Sequence, residues 1–217
     1  MKLHAASIRL SATDLSNHLA CRHLTGLDLQ VARGQRQAPD WAAPDLAVIQ
    51  QLGQQHEAAY LDYLAKHQRL AVINLAGIKS ETTLVEETLK LMSQGADVIA
   101  QGALTDGQWF GRPDVLRRLA QPSLNWIWSY EVADTKLALE TKATTILQLS
   151  LYSELLGKAQ GSDPETMWVI PPGNDFKGEP YRVAEYAAYF RYVKSRLERV
   201  THDRFSDLDL PRVGHEP

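Results

Sequence analysis

Two runs carry the reading of this chain: Gly111-Arg112-Pro113-Asp114-Val115-Leu116 and Trp128-Ser129-Tyr130-Glu131-Val132-Ala133-Asp134-Thr135-Lys136. Both are strand-like in composition, and a polar turn from Gln121 to Asn125 lies between them. Side chains alternate faces along a strand, so residues two apart point the same way. Asp134 and Lys136 therefore share a face, and Glu131 points to the other. The second run, read from Trp126 to Leu137, is strongly apolar and suits a central strand. Burying a carboxylate and an ammonium there is costly unless they are paired or hold a metal. That cost marks Asp134 and Lys136 as candidates for chemistry, with an ordinary buried ion pair as the alternative. Carboxylates on neighbouring strands can hold a hard cation such as Mg²⁺ through oxygen. Such a cation lowers the pKa of a bound water, and a lysine beside it steadies the hydroxide or the developing phosphorane charge.

Upstream, Asp97 to Leu104 reads as a strand, Thr105-Asp106-Gly107 as a tight turn and Gln108 to Leu116 as the return strand. This hairpin delivers Asp114 near its end. Pro113 suits an edge or a bulge, where a sheet re-aims a side chain. A turn-capping carboxylate is the alternative for Asp114. Arg112, Arg117 and Arg118 bracket it, either as phosphate contacts or as solvated surface. Downstream, a helix is expected from Thr141 to Gly157, with Gly157 ending it. Gln148 and Tyr152 stack on one face of that helix, and Glu140 and Lys142 lie at its entrance. A strand over Thr166–Ile170, an edge strand over Tyr181–Val183 and a helix from Ala184 to Val200 follow. In that last helix aromatic residues interleave with basic ones, and we read them as core and solvated face.

Further toward the N-terminus, Arg69 to Leu75 reads as a strand and Ser80 to Gln94 as an amphipathic packing helix. A long helix from Asp45 to Lys66, capped by Asp45, precedes them. It places Ile49, Leu52, His56, Tyr60 and Tyr63 on one apolar face. Taken alone, His56 there reads as a satisfied core residue. Residues 33–44 read as a loop. Ser11 or Thr13 caps a short helix with Cys21 at its end, where a small buried thiol is expected. His18, His23 and His67 read as surface or structural residues. The order of elements suits one α/β domain over residues 1–217, a mixed β-sheet flanked by helices.

Composition sets outer bounds. The chain has 217 residues, 44% hydrophobic and 23% charged, with a net charge of −3. That charge lacks the basic footprint of most nucleic-acid binders. A metal site offsets it locally. No apolar run is long enough to span a bilayer, and His4 and Arg9 break up any signal-peptide core. A single cysteine excludes an internal disulfide framework. A cytoplasmic protein is expected.

The ordered set His56, Asp114, Asp134-x-Lys136 and Gln148-x-x-x-Tyr152 resembles the PD-(D/E)xK nucleases, in particular the RecB-like branch, and is similar to CRISPR-associated RecB-like exonucleases. The likeness runs roughly from Ser11 to Val200. D-x-K alone occurs by chance, whereas the ordered set is far more specific. The resemblance implies a restriction-endonuclease-like core and Mg²⁺- or Mn²⁺-dependent hydrolysis of DNA, single-stranded or at ends, of exonuclease type. It implies His56, Asp114 and Asp134 as metal ligands, joined by the Thr135 carbonyl. Lys136 would orient or activate the water, Gln148 would support the site, and Tyr152, Arg112 and Lys142 would face the nucleic acid. It is compatible with a protein partner such as a helicase. Some relatives hold an iron–sulfur cluster with one N-terminal and three C-terminal cysteines. Cys21 matches the first, so a cluster is expected only if this chain is the N-terminal fragment of a longer protein. A domain of this fold that binds nucleic acid or protein without cutting is the competing class, and RNA competes with DNA as substrate.

Overall fold

A computed structural model describes residues 1–4, 7–40, 46–173 and 175–202. The cap expected at Asp45, residues 41–44 of the expected loop, Asn174 and the tail from Val213 to Pro217 lie outside them. In chain order the elements are β1 (Lys2–His4), β2 (Ser7–Ser11), α1 (Ala12–Ala20), α2 (Arg22–Ala32), α3 (Leu46–Lys66), β3 (Val72–Asn74), α4 (Glu81–Ser93) and β4 (Val98–Ala100). There follow β5 (Leu104–Thr105), β6 (Trp109–Gly111), β7 (Val115–Leu119), β8 (Ser129–Thr135), α5 (Ala143–Gln160), β9 (Thr166–Ile170), β10 (Glu179–Arg182) and α6 (Val183–His202). The strands build two mixed sheets, ordered β1-β2-β6-β5 and β10-β9-β8-β7-β4-β3. The fold is α/β, as expected, with one sheet more than the pattern of elements implied.

The larger sheet carries the site, and its side-chain alternation sorts two cores. Val98, Ala100, Val115 and Ala133 face α3, where they meet Tyr60, Leu61 and Leu64. Ile99, Leu116, Tyr130 and Val132 face the other way, into the main core with Leu147, Leu151 and Leu155 of α5. β8 is interior to the sheet, and every residue from Ser129 to Asp134 is buried. Such a strand reads as a continuous apolar run rather than an alternation. α5 is buried on nearly all sides, which explains why its sequence shows no apolar stripe.

The expected single hairpin is bent across both sheets. Its first pair, β4 with β7, lies in the large sheet, and its second, β5 with β6, in the small one. One arm breaks at Gln101, which takes a left-handed φ of 55°. The other breaks over Arg112-Pro113-Asp114, where Pro113 has no N–H to give a ladder. The Gln101 N–H donates to the Asp114 carbonyl at 2.8 Å and holds the two breaks together.

Four expectations are corrected. Gly157 does not end its helix: α5 runs to Gln160 and stops at Gly161, left-handed with φ 78°. Gly157 is there for space, since a Cβ would meet Asp163 Oδ1 at 2.2 Å. Cys21 is not a buried thiol; it is exposed, in an extended link between α1, which ends beside it as expected, and α2. Ile49 and Leu52 are 55% and 49% exposed. Only the C-terminal half of α3, from Tyr60, lies on the sheet, so a helical apolar pattern outran its packing surface. Strands β1 and β2 were not anticipated. β2 pairs in parallel with β6, a contact that leaves no local sequence signature. Among the described residues no helix is long and apolar enough to cross a membrane.

Candidate active site

β7 and β8 pair with Val115 opposite Ala133 and Leu116 opposite Val132. One residue further in that register, Asp114 faces Asp134 across the ends of the two strands. Asp114 is fixed by the chain it adjoins: its Oδ2 accepts from the Thr135 N–H and from Thr135 Oγ1, both at 2.8 Å. Asp134 is fully buried. Its Oδ1 accepts from Gln148 Nε2 at 3.2 Å. Its Oδ2 forms an ion pair with Lys136 Nζ, and no well-formed hydrogen bond reaches that oxygen.

α5 supplies the ceiling. Lys136 Nζ donates to Gln148 Oε1 at 3.3 Å, so Gln148 bridges the ammonium and the carboxylate. Gln148 Nε2 also lies 3.2 Å from the Tyr152 hydroxyl, one turn along the same helix. Burial, with Asp134 next, pushes the Tyr152 phenol well above its ordinary range, so it remains protonated. Gly111 makes room for this ring: a Cβ there would stand 2.7 Å from Tyr152 Cδ1.

The electrostatics leave the site short of positive charge. Burial pushes the Asp134 carboxyl up to about 8, the Asp114 charge adds to this, and Lys136 opposes it. Two carboxylates on adjacent strands, set against a single lysine, fit a hard divalent cation. Asp114 and Asp134 are the residues that would hold it.

His56, which the resemblance implied as a metal ligand, contacts β9 and Phe176. Its Nε2 lies 3.2 Å from the Ile170 carbonyl oxygen, and its ring stacks on Phe176 at 5.8 Å. Among the described residues no three His, Cys, Asp or Glu side chains come together closely enough to hold a metal. Thr135 acts here through its N–H and hydroxyl. The Lys136 N–H donates to the same Ile170 carbonyl at 3.0 Å, which ties His56 and the D-x-K segment to β9.

Sequence reasoning missed Glu57 and Gln101. Gln101 Nε2 donates to Glu57 Oε1 at 2.7 Å and lies 3.4 Å from Asp114 Oδ1. Burial first, then the Asp114 charge, raises the Glu57 carboxyl above its usual range. The left-handed backbone at Gln101 had no signal in the sequence, and Glu57 was overshadowed by its neighbour His56. Arg112 and Lys142 are exposed, beside the site rather than in it. Arg117 and Arg118 are already paired, with Glu131 and Asp97. Cys21 sits apart, between α1 and α2. No family model matches this chain, and no curated protein matches it.

Proposed function

We propose that this protein is a metal-dependent nuclease of the PD-(D/E)xK type, RecB-like in the order of its site residues, which hydrolyses DNA at single strands or ends. One observation carries the reading: a fully buried aspartate paired with a lysine and set opposite a second aspartate, two carboxylates against one ammonium. A purely structural ion pair needs one carboxylate, and a second one facing it at this depth is costly unless a cation joins them. The finer fold assignment, a restriction-endonuclease-like core, belongs to the same proposal. So do Mg²⁺ or Mn²⁺ as the cofactor, a cytoplasmic setting and a protein partner such as a helicase.

In this reading the cation, when bound, polarises the scissile phosphate and lowers the pKa of the attacking water. Asp114 and Asp134 bind it. Thr135 holds Asp114 in position through two hydrogen bonds. Lys136 aims its ammonium at the same space, where it orients the water and stabilises charge on the phosphate oxygens. Gln148 keeps Lys136 and Asp134 in register. Glu57 lies close enough to Asp114 for that charge, after burial, to hold its carboxyl above the usual range.

The test is cleavage of labelled single- and double-stranded DNA, and of RNA, in Mg²⁺, Mn²⁺ or EDTA. Cutting should require metal and fall by roughly 10²-fold or more in Asp134→Asn and Lys136→Ala. Cutting that survives both changes overturns the site. Nucleic-acid binding without any metal-dependent cutting favours the non-cleaving module.

A further inference from the structure

Between β4 and β5 the chain turns through Gln101, a non-glycine residue with φ 55°. Glycine adopts such a φ without steric cost, and other L-residues do not. The conformation is fixed from both sides. The Gln101 N–H donates to the Asp114 carbonyl at 2.8 Å, and the Ala100 carbonyl before it accepts from the Leu75 N–H at 3.0 Å. Two residues on, the Ala103 N–H donates to Thr88 Oγ1 of α4 at 2.9 Å. Gly102, between them, lies against the same threonine, where a Cβ would come within 3.1 Å of Thr88 Cγ2. A non-glycine residue that its surroundings hold in this region points to a task for its side chain that glycine could not perform.

Gln101 Nε2 donates to Glu57 Oε1 of α3 at 2.7 Å and lies 3.4 Å from Asp114 Oδ1. Carboxylate oxygens accept, so the amide nitrogen is the end of Gln101 that faces both. It stands between two groups that repel: the Asp114 charge, after burial, raises the Glu57 carboxyl, and the Gln101 hydrogen bond opposes that rise. Asp114 is thereby gripped at three points. The Thr135 N–H and Oγ1 both bond to its Oδ2 and occupy the two lone pairs of that oxygen. Its backbone carbonyl accepts from the Gln101 N–H. Its Oδ1 has only the long contact with the Gln101 amide, which leaves that oxygen a lone pair for a cation.

We propose that Gln101 is a positioning residue for the metal site: anchored on Glu57, its amide fixes the rotation of the Asp114 carboxylate so that Oδ1 is presented to a divalent cation shared with Asp134. The inference rests on the metal-dependent nuclease reading and adds to it a residue outside the ligand set. Gln101 touches neither substrate nor cation. Its backbone and side chain act together, since the N–H holds the Asp114 carbonyl while the amide reaches Oδ1. Glu57 is the fixed end of the bridge and ties α3 to the site without contributing a ligand. Groups that orient a metal's ligands commonly matter by roughly 10- to 100-fold in affinity. The backbone is strained at Gln101 in the service of the site, so relief of the strain and strength of metal binding should move in opposite directions.

The experiment titrates Mn²⁺ into the whole protein by calorimetry, beside thermal melts in EDTA. Gln101→Gly suits the left-handed backbone and lacks the amide. It should melt no lower than the wild type yet bind Mn²⁺ roughly 10- to 100-fold more weakly. Gln101→Asn also tolerates a left-handed φ, and its amide falls a methylene short of both partners, so it should behave the same way. Unchanged affinity in both variants overturns the proposal. A loss of affinity matched by a fall in melting temperature in both makes Gln101 a structural residue and overturns it too. Glu57→Ala should weaken Mn²⁺ binding in the wild type and much less in the Gln101→Gly background, because the same bridge is removed in either order. Equal weakening in the two backgrounds would make Glu57 an independent ligand, against the proposal. If the wild type binds Mn²⁺, Asp134→Asn abolishes that binding and Gln101→Gly leaves it intact, the positioning proposal falls alone. If the wild type binds no Mn²⁺, the metal-dependent reading falls first and this one with it.

Discussion

Asp134 has a carboxyl that burial and the Asp114 charge push up to about 8, against an ordinary 3.8. A group whose pKa is raised on folding binds its proton more tightly in the folded state. Its contribution to stability is therefore complete below about 4 and is lost as the pH rises through about 8. In metal-free buffer the protein should lose stability across that window. Asp134→Asn mimics the neutral carboxyl and removes this dependence. Its melting temperature should match the wild type near pH 4 and exceed it at pH 8–9, read by calorimetry in EDTA. A variant less stable than the wild type at pH 9 would mean that the Lys136 pairing outweighs burial. The same residue shows how far a sequence can speak. Asp134-x-Lys136 on an apolar strand announced a costly pair. The Gln148 hydrogen bond to Oδ1 required the position of α5, which no local pattern fixes.

The bent hairpin and α5 meet at Gly111, where the small sheet touches the helix that carries Gln148 and Tyr152. A methyl group there would come within 2.7 Å of Tyr152 Cδ1 and 2.9 Å of Leu155 Cδ1. Neither neighbour has room to yield, because both side chains are buried in the main core. Gly111→Ala should cost about 1–3 kcal/mol, the usual range for overpacking, measured by urea unfolding. It should also lower the proposed nuclease activity at temperatures where the protein stays folded, because displacing Tyr152 loosens the amide that bridges Asp134 and Lys136. Full activity with lost stability would separate α5 packing from the site. At this scale the sequence was most legible where elements are local. β9 matches the expected Thr166–Ile170, and α4 starts after Ser80, whose Oγ accepts from the Thr83 N–H at 3.3 Å. It was least legible where one β-ribbon divides between two sheets, because β6 pairs on its other side with β2, far back along the chain, while β7 pairs with β8.

Across the whole molecule the apolar surface is unevenly covered. Leu46, Val48, Ile49 and Leu52 of α3 are exposed, and so are Leu137 and Leu139 just beyond Lys136. The two stretches adjoin, since a Cβ on Gly53 would lie 4.0 Å from Leu137 Cδ1. The 3.6-residue period of α3 was legible, but the extent of the sheet beneath it was not. Periodicity reports which face of a helix is apolar; the length of that face that finds a partner is set by strands up to a hundred residues away. The architecture therefore predicts opposite outcomes on one stripe. Ile49→Lys, at 55% exposure, should change the unfolding free energy by no more than about 0.5 kcal/mol. Leu64→Ala, at 1% exposure and set against Val98, Ala100 and Ala133, should cost about 2–5 kcal/mol. Both follow from urea titrations with a common slope, since neither change alters the surface exposed on unfolding by much. A large loss in Ile49→Lys would place the first half of α3 against the core after all. A small loss in Leu64→Ala would remove α3 from the sheet, and with it the wall that holds His56 against Ile170 and Glu57 against Gln101.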